Sequence, residues 1–247
     1  PRFATPWLSN LSLSVDFYDI RVKGAIGVVS SLLSVQKCFN VDGSNPGYDL
    51  ANQFCGNISR DPVTGRIINV LQPTLNLGGY HTRGVDFQID WQAGLGSRSS
   101  IGINSVVTYL DSFKVQTLPG GSVADYAGTV GGTSTSQPGS LPKWKAVTTL
   151  TYSDAAFNLG GRWRFIDKMR AASRATNPNA TTPGVPSYSL FDVFAGARIT
   201  QDYSLRVGIN NVFDKNPPIL NGVLGTTEAS TYDVIGRSFY VSLTAQF

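Results

Sequence analysis

The chain has 247 residues, of which 41% are hydrophobic and only 15% are charged, and its formal net charge is +4. No apolar run approaches the ~20 residues of a membrane helix, which excludes a helical membrane protein. The Lys and Arg residues are scattered, without the dense basic run of a nucleic-acid-binding protein, so nucleic acid is not expected as a partner.

Eight segments alternate apolar and polar residues in the way that is typical of strands. In chain order they are 11–22, 83–91, 100–113, 143–152, 157–165, 188–199, 203–213 and 236–247. They are 9 to 14 residues long, which is longer than the ~5–6 residues of soluble strands and close to the ~9–11 of a tilted transmembrane strand. We therefore predict an all-β protein.

The two cysteines, Cys38 and Cys55, lie in the polar stretch between the first two predicted strands. They lack CxxC spacing, and the chain has a single histidine, which argues against a zinc site of the usual kind. We favour a disulfide, which implies an oxidising compartment, and two free thiols are the alternative. The oxygen-rich stretch 40–49 lacks the spacing of a calcium-binding loop and is interpreted as turns.

Short and long connections alternate between the predicted strands. The short ones contain "AGLGS", "SDA" and "TQD", and the long ones span 23–82, 114–142, 166–187 and 214–235. Outer-membrane β-barrels alternate in this way, with tight periplasmic turns and long extracellular loops, whereas a β-sandwich has no reason to do so. The pattern predicts an antiparallel transmembrane β-barrel whose last strand runs towards the periplasm.

This orientation predicts two aromatic rims, the positions that amphipathic rings prefer at membrane interfaces. Trp91 and Tyr152 come just before short turns and are assigned to the periplasmic rim, whereas Trp144 and Trp163 fall near the opposite rim. The alternative is that these rings fill the core of a sandwich.

No catalytic arrangement is found. His81 is the only histidine, and the sequence has no Gly-x-Ser-x-Gly, phosphate-binding or dinucleotide-binding motif. We therefore do not expect an enzyme, and we expect no cofactor and no metal.

Four stretches resemble the carboxy-terminal part of TonB-dependent outer-membrane receptors. They are "LSLSVDFYDIRVKGAIG" (11–27), "GGYHTRGVDFQIDW" (78–91), "SLRVGINNVFDKNPP" (204–218) and "TYDVIGRSFYVSLTAQF" (231–247). The resemblance implies a 22-stranded barrel with a plugged lumen. Residues 1–247 would supply about eight strands, the C-terminal third, without the plug domain or the segment that contacts TonB. Such a chain either pairs with further strands or closes on itself.

The resemblance also implies a location and partners. The location is the outer membrane of a Gram-negative bacterium, and the function is TonB-energised uptake of a scarce nutrient, such as a ferric siderophore, a vitamin or a saccharide. The partners are membrane lipid, the rest of the barrel with its plug, the TonB complex, an unknown small-molecule ligand and the barrel-assembly machinery. That machinery would read a terminal signal formed by Tyr240, Val241, Leu243 and Phe247.

Polar residues inside the predicted strands should face the lumen, because a charge facing lipid costs ~2–4 kcal/mol at the midplane. The candidates are Asp86, Gln88, Asp90, Arg162, Arg164 and Arg206. They are interpreted as a network that hydrates the lumen wall and packs against the plug, while ligand contact is assigned to loops 38–72, 114–141 and 214–234. Two other functions stay open: a passive eight-stranded barrel with a structural or adhesive role, and a soluble secreted β-sandwich that binds a partner.

Overall fold

The computed structural model describes residues 10–76, 78–118, 121–132, 139–220 and 227–246. It contains fifteen strands within these ranges, one α-helix and two short 3-10 turns, Cys55–Asn57 and Ala172–Ala175. The helix α1 spans Ser31–Cys38, and the strands are β1 Leu11–Lys23, β2 Ile26–Val28, β3 Ile58–Arg60, β4 Ile67–Val70, β5 Thr74–Asn76, β6 Gly79–Gly94, β7 Ser100–Gln116, β8 Val123–Asp125, β9 Thr129–Val130, β10 Trp144–Ser153, β11 Phe157–Ile166, β12 Arg170–Ala171, β13 Tyr188–Arg198, β14 Tyr203–Asn210 and β15 Ser238–Ala245.

Eight long strands form one sheet in chain order, β1-β6-β7-β10-β11-β13-β14-β15, with β8 paired to β7. They correspond to the eight predicted segments, and the pairs from β7 to β15 are antiparallel. β6 and β7 extend beyond the predicted 83–91 and 100–113, because strand pairing continues where the apolar alternation has stopped. The eight long strands of the described part of the chain lie in one sheet, which agrees with the barrel prediction rather than with a sandwich.

The register gives the sheet two chemically different faces. One cross-strand row is Ile101, Tyr152, Leu159, Ala195, Val207 and Val241, so six neighbouring strands of the sheet each contribute an apolar residue to the same face. We call it the apolar face. The opposite face, which carries residues such as Asn158, Arg206 and Ser242, is called the polar face.

The connections sort by length between the two ends of the sheet. Residues 95–99, 154–156 and 199–202 make the short turns, and the long connections leave the other end. We call these the turn end and the loop end. Successive connections lie at opposite ends of the sheet because the strands are antiparallel and are neighbours in both sequence and space, as predicted.

The chain divides into two compact units: the first is 1–21, 81–115 and 123–247, and the second is 22–80 and 116–122. In the second unit, α1 begins after Ser30, whose side chain accepts a hydrogen bond from the Leu33 amide. A helix of eight residues is too short to give the sustained period by which sequence analysis detects helices.

A disulfide joins Cys38, the last residue of α1, to Cys55. Beside it the buried amide of Asn45 donates to the carbonyls of Cys38 at 2.9 Å and Asp49 at 3.2 Å. The oxygen-rich stretch is therefore a set of turns held by its own polar side chains.

Within the described ranges, no helix is both long enough and apolar enough to cross a membrane.

Candidate functional site: the polar face and the loops above it

The polar face is acidic on one side and basic on the other. Asp86, Gln88 and Asp90 lie on β6, and the Asp90 carboxylate accepts a hydrogen bond from Asn104 at 2.7 Å. One carboxylate oxygen of Asp86 is buried and has no hydrogen-bond partner among the described residues. β6 is separated from β11 by two strands, about 14 Å at the usual strand spacing. The structure therefore does not bring these carboxylates to the predicted arginines.

The basic side is organised by Asp192 of β13, a residue that sequence analysis did not select. This carboxylate is only 3% exposed. It accepts hydrogen bonds from Arg162 Nε at 2.9 Å and from Arg164 Nε and Nη2 at 3.0 Å each. Two predicted arginines on β11 thus share one buried carboxylate, which satisfies the rule that a buried charge needs a partner.

The same carboxylate fixes the turn that ends β14. Asn211, in the left-handed region at φ 53°, donates its backbone amide to Asp192 at 2.9 Å. Its side chain accepts from the Lys215 amide at 2.8 Å and donates to the Lys215 carbonyl at 3.0 Å. The stretch "NNVFDK" is therefore a strand terminator, and Asn tolerates the left-handed backbone that such a turn needs.

The connection between β14 and β15 returns to this network through Asp233. Its carboxylate lies 3.4 Å from Arg164. Since Arg164 contacts both Asp192 and Asp233, one guanidinium links the sheet to the loop above it. We call Arg162, Arg164, Asp192 and Asp233 the Asp192 network.

A hydrophobic cluster lies beside this network at the loop end. Its members come from β9, β11, β13 and the connections, namely Val130, Ile166, Met169, Val185, Tyr188, Leu190 and Tyr232. Tyr188 and Leu190 share the polar-face parity of Asp192, so the cluster covers the upper part of the polar face. Tyr232 in this cluster comes from the loop 214–234 that was assigned to ligand contact, and that assignment stays a prediction; residues 221–226 lie outside the described ranges.

Within the cluster, the phenol of Tyr232 has the most strongly shifted pKa. Burial, followed by the nearby Glu228 carboxylate, raises the pKa of its phenol to about 12. Its ring meets that of Tyr188 edge-on at 5.3 Å, and its hydroxyl is buried without a hydrogen-bond partner among the described residues. The hydroxyl is a polar group in an apolar environment.

Glycine and aromatic residues alternate across the middle of the polar face. The Phe194 ring lies over Gly160, where an added Cβ would come within 2.2 Å of it, and the Tyr240 ring lies over Gly208 at 2.4 Å. The guanidinium of Arg206 sits 5.0 Å from the centroid of Phe194. The predicted Arg206 thus packs on an aromatic ring of the polar face.

The aromatic residues of the predicted rims are found near the strand ends. Tyr152 packs on Phe157 at 5.7 Å beside the turn 154–156, and Trp91 lies towards the turn end of β6. At the loop end Trp144 packs on Tyr109 at 4.5 Å. Trp163 packs on Phe165 at 5.5 Å. Their role as membrane rims stays a prediction.

The predicted assembly signal divides between the faces. Tyr240 lies on the polar face, Val241 and Leu243 lie on the apolar face, and Phe247 lies outside the described residues. The signal stays a prediction.

The remaining candidates indicate neither a catalytic site nor a metal site. His81 hydrogen-bonds through Nε2 to Asp19 at 2.9 Å, an interaction between neighbouring strands. Among the described residues no group of three or more His, Cys, Asp or Glu side chains is placed to hold a metal ion.

Comparisons with known proteins agree with this architecture. Residues 3–212 match the family model described as TonB dependent receptor-like, beta-barrel. No curated protein matches the sequence significantly.

Two solved structures show the same fold. One is the siderophore receptor PirA from Acinetobacter baumannii, with a TM-score of 0.55 and 16% identity over 96% of this chain and 30% of that one. The other is a mutant of the ferric enterobactin receptor PfeA from Pseudomonas aeruginosa, with a TM-score of 0.60 and 16% identity over 96% of this chain and 29% of that one. The chain therefore spans less than a third of the length of these receptors, and with most of it matched by the family model, it belongs to the TonB-dependent receptor-like β-barrel family.

Proposed function

We propose that residues 1–247 form the C-terminal part of the barrel wall of an outer-membrane receptor that imports a scarce nutrient. The observation that carries this proposal is the two-faced sheet, in which the neighbouring strands β7, β10, β11, β13, β14 and β15 share a row of apolar residues on one face and carry mostly polar residues on the other. A wall between lipid and a hydrated lumen needs these two faces.

The exposure of the apolar face supports a lipid environment. Phe239, Val241 and Leu243 are 72%, 73% and 66% exposed, and no described residue covers them. Burying one such side chain is worth about 1.5–3 kcal/mol, so a face of this kind needs an apolar cover. The bilayer provides that cover along the whole sheet.

The composition of the polar face supports a lumen. Arg162, Arg164 and Arg206 lie on the polar face of the sheet. If these charges faced lipid, each would cost about 2–4 kcal/mol near the midplane. The Asp192 network and Arg206 would then hydrate the wall and pack against a plug domain.

The ends of the sheet favour a larger barrel over a closed eight-stranded one. β1 and β15 are the outermost strands of the order, and they are not paired with each other among the described residues. Unpaired backbone groups are not tolerated in lipid. We propose that both edges pair with further strands of a 22-stranded barrel.

In the proposed uptake, the loops and the barrel wall have different roles. The connections at the loop end would capture the ligand outside the cell, and the TonB complex would supply energy through the plug. The ligand is proposed only as a ferric siderophore, a vitamin or a saccharide. The barrel-assembly machinery would insert the wall.

Uptake by the full-length protein tests the proposal. Bacteria that express it are given labelled ferric siderophores, cobalamin and oligosaccharides, with and without functional TonB. We expect one ligand class to enter only when TonB is present. Uptake at the same rate without TonB would support the passive barrel, and absence of the protein from the outer-membrane fraction would contradict both readings.

A further inference from the structure

A polar pocket of about 620 Å³ lies at the turn end of the polar face, and we call it the turn-end pocket. The strand register places much of its polar lining in two neighbouring rows of that face. The upper row is Asn158, Gly196, Arg206 and Ser242, and the lower row contains Arg198 and Ser204.

The turn-end pocket is positively charged. Its charged lining residues are Arg198, Arg206 and Asp154, so its formal charge is +1. Neither arginine forms an ion pair with a residue in the ranges that the structure describes. The two Cα atoms are one strand spacing and two residues apart, or about 8 Å. Because guanidinium side chains are long, both arginines can contact the same carboxylate.

Arg206 is positioned by the row of rings and glycines next to the pocket. Its guanidinium lies 5.0 Å from the centroid of the Phe194 ring, and this ring lies over Gly160. Gly196, opposite Arg206, leaves room for the Asn158 side chain, since an added Cβ would come within 2.9 Å of it. Stacking on a ring leaves the donors at the edge of the guanidinium available to bind an anion.

The dimensions of the pocket fit an extended peptide. From Ser153 on β10 to Ser242 on β15 the lining crosses five neighbouring strands, or about 19 Å at the usual strand spacing. An extended segment of about six residues has this length. The side chains of Ser153, Asn158 and Ser242 form no hydrogen bond with a described residue, so their polar groups can bind the backbone of such a segment.

The length of the related receptors indicates where this segment comes from. The chain spans less than a third of the receptors that share its fold. In the proposed function, more than two thirds of the polypeptide therefore lie outside residues 1–247, and the plug domain is among them.

We propose that the turn-end pocket binds an extended acidic segment of the plug domain. The inference rests on the proposed function, which places the polar face in the lumen and the plug inside it. The segment would lie across the strands, with an Asp or Glu side chain between Arg198 and Arg206. This contact would fasten the plug to the wall at the periplasmic end of the lumen.

Photo-crosslinking of the full-length protein in the outer membrane tests the contact. The photoreactive residue p-benzoylphenylalanine replaces Ser242, and mass spectrometry identifies the peptides that become joined to it. The matched control position is the next residue, Leu243, whose side chain lies on the apolar face. We expect the probe at Ser242, but not the probe at Leu243, to capture a plug peptide that contains Asp or Glu.

Amide hydrogen exchange of the captured plug peptide then measures how strongly the arginines hold it. In full-length protein in detergent micelles, Arg198→Gln/Arg206→Gln should raise its exchange rate by about tenfold or more, the factor expected for one lost charge-assisted hydrogen bond. The control Arg66→Gln/Arg98→Gln removes the same charge from exposed residues outside the pocket and should leave the rate unchanged. Neutralising the acidic residue of the plug peptide should have the same effect as the arginine variant, and combining the two should add nothing.

Several outcomes would overturn the inference: no plug peptide at Ser242, a plug peptide without Asp or Glu, the same peptide captured from Leu243, or equal exchange in the arginine variant and its control. TonB-dependent uptake is measured on the same proteins. Normal uptake without a plug crosslink at Ser242 removes this inference alone. A wild-type protein that is absent from the outer membrane, or that imports without TonB, removes the proposed function as well.

Discussion

Replacing Asp192 by Asn should destabilise the sheet more than any other single polar substitution on β13. The carboxylate receives three hydrogen bonds from two guanidinium groups and one from the Asn211 amide. Asn keeps an acceptor for that amide but removes the negative charge. Arg162 and Arg164 then stay close together without their shared counter-ion.

The magnitude follows from how far water can replace the lost partner. Breaking a fully buried ion pair costs about 3–5 kcal/mol. The side chains of Arg162 and Arg164 are 42% and 30% exposed, so water recovers part of this energy. We expect a loss of roughly 2–3 kcal/mol in the free energy of unfolding.

The assay is urea unfolding of the full-length protein in detergent micelles, followed by tryptophan fluorescence. Asp90→Asn is the matched control, because Asp90 is an exposed polar-face carboxylate with one hydrogen bond, to Asn104. This control should cost less than about 1 kcal/mol. Equal losses in the two variants would refute the reasoning that Asp192 organises the basic side of the polar face.

Four further predictions concern other parts of the chain. Cys38→Ser/Cys55→Ser removes a crosslink across a separation of 17 residues, worth about 3 kcal/mol to its loop, so hydrogen exchange should rise within 24–76 and stay unchanged in β13–β15. Gly208→Ala places a Cβ 2.4 Å from the Tyr240 ring and should lower stability by about 1–3 kcal/mol in the same urea assay, whereas Gly56→Ala, which meets no atom within 4 Å, should not. Hydrogen bonds from Lys37 and Ser44 lower the pKa of Asp42 from 3.8 to about 2. The stabilisation that the Asp42 carboxylate gives its turn should therefore be complete above pH 3.8 and be lost as the pH falls through 2. Amide exchange of Ser44 measures this loss, and Asp42→Asn should abolish the pH dependence. Phe247→Ser should reduce the yield of protein in the outer-membrane fraction, and an unchanged yield would eliminate the terminal assembly signal.

The strands and their order were predictable because the sheet has two different faces. Alternation along β14 and β15 places Val207 and Val241 on one face and Arg206 and Ser242 on the other, and short turns leave antiparallel neighbours as the simplest arrangement. Interactions local in sequence therefore determine most of the sheet.

The Asp192 network was only half predictable. Arg162 and Arg164 were selected because charges interrupt an apolar pattern, and Asp192 interrupts the β13 pattern in the same way between Phe191 and Val193. Its link to Asp233 depends on how a long connection folds, which no short-range pattern encodes. The helix α1 was missed for a related reason, since eight residues carry little periodic signal.

The glycine–aromatic pairs illustrate a signal that was present but not used. Phe194 and Tyr240 are aromatic residues on the polar face, and Gly160 and Gly208 are their partners on neighbouring strands. Each glycine makes room for a ring. Finding such pairs requires the register, which the sequence predicts only once neighbouring strands are aligned.

The central claim is that the sheet separates lipid from a hydrated lumen, and a scan along β15 tests it most directly. Single cysteines at positions 238 to 244 of the full-length protein are labelled with a fluorophore and exposed to brominated lipids and to a water-soluble quencher. The account predicts strict alternation, with lipid quenching at Phe239, Val241 and Leu243 and aqueous quenching at the positions between them. Aqueous quenching at all seven positions, or no alternation, would contradict it.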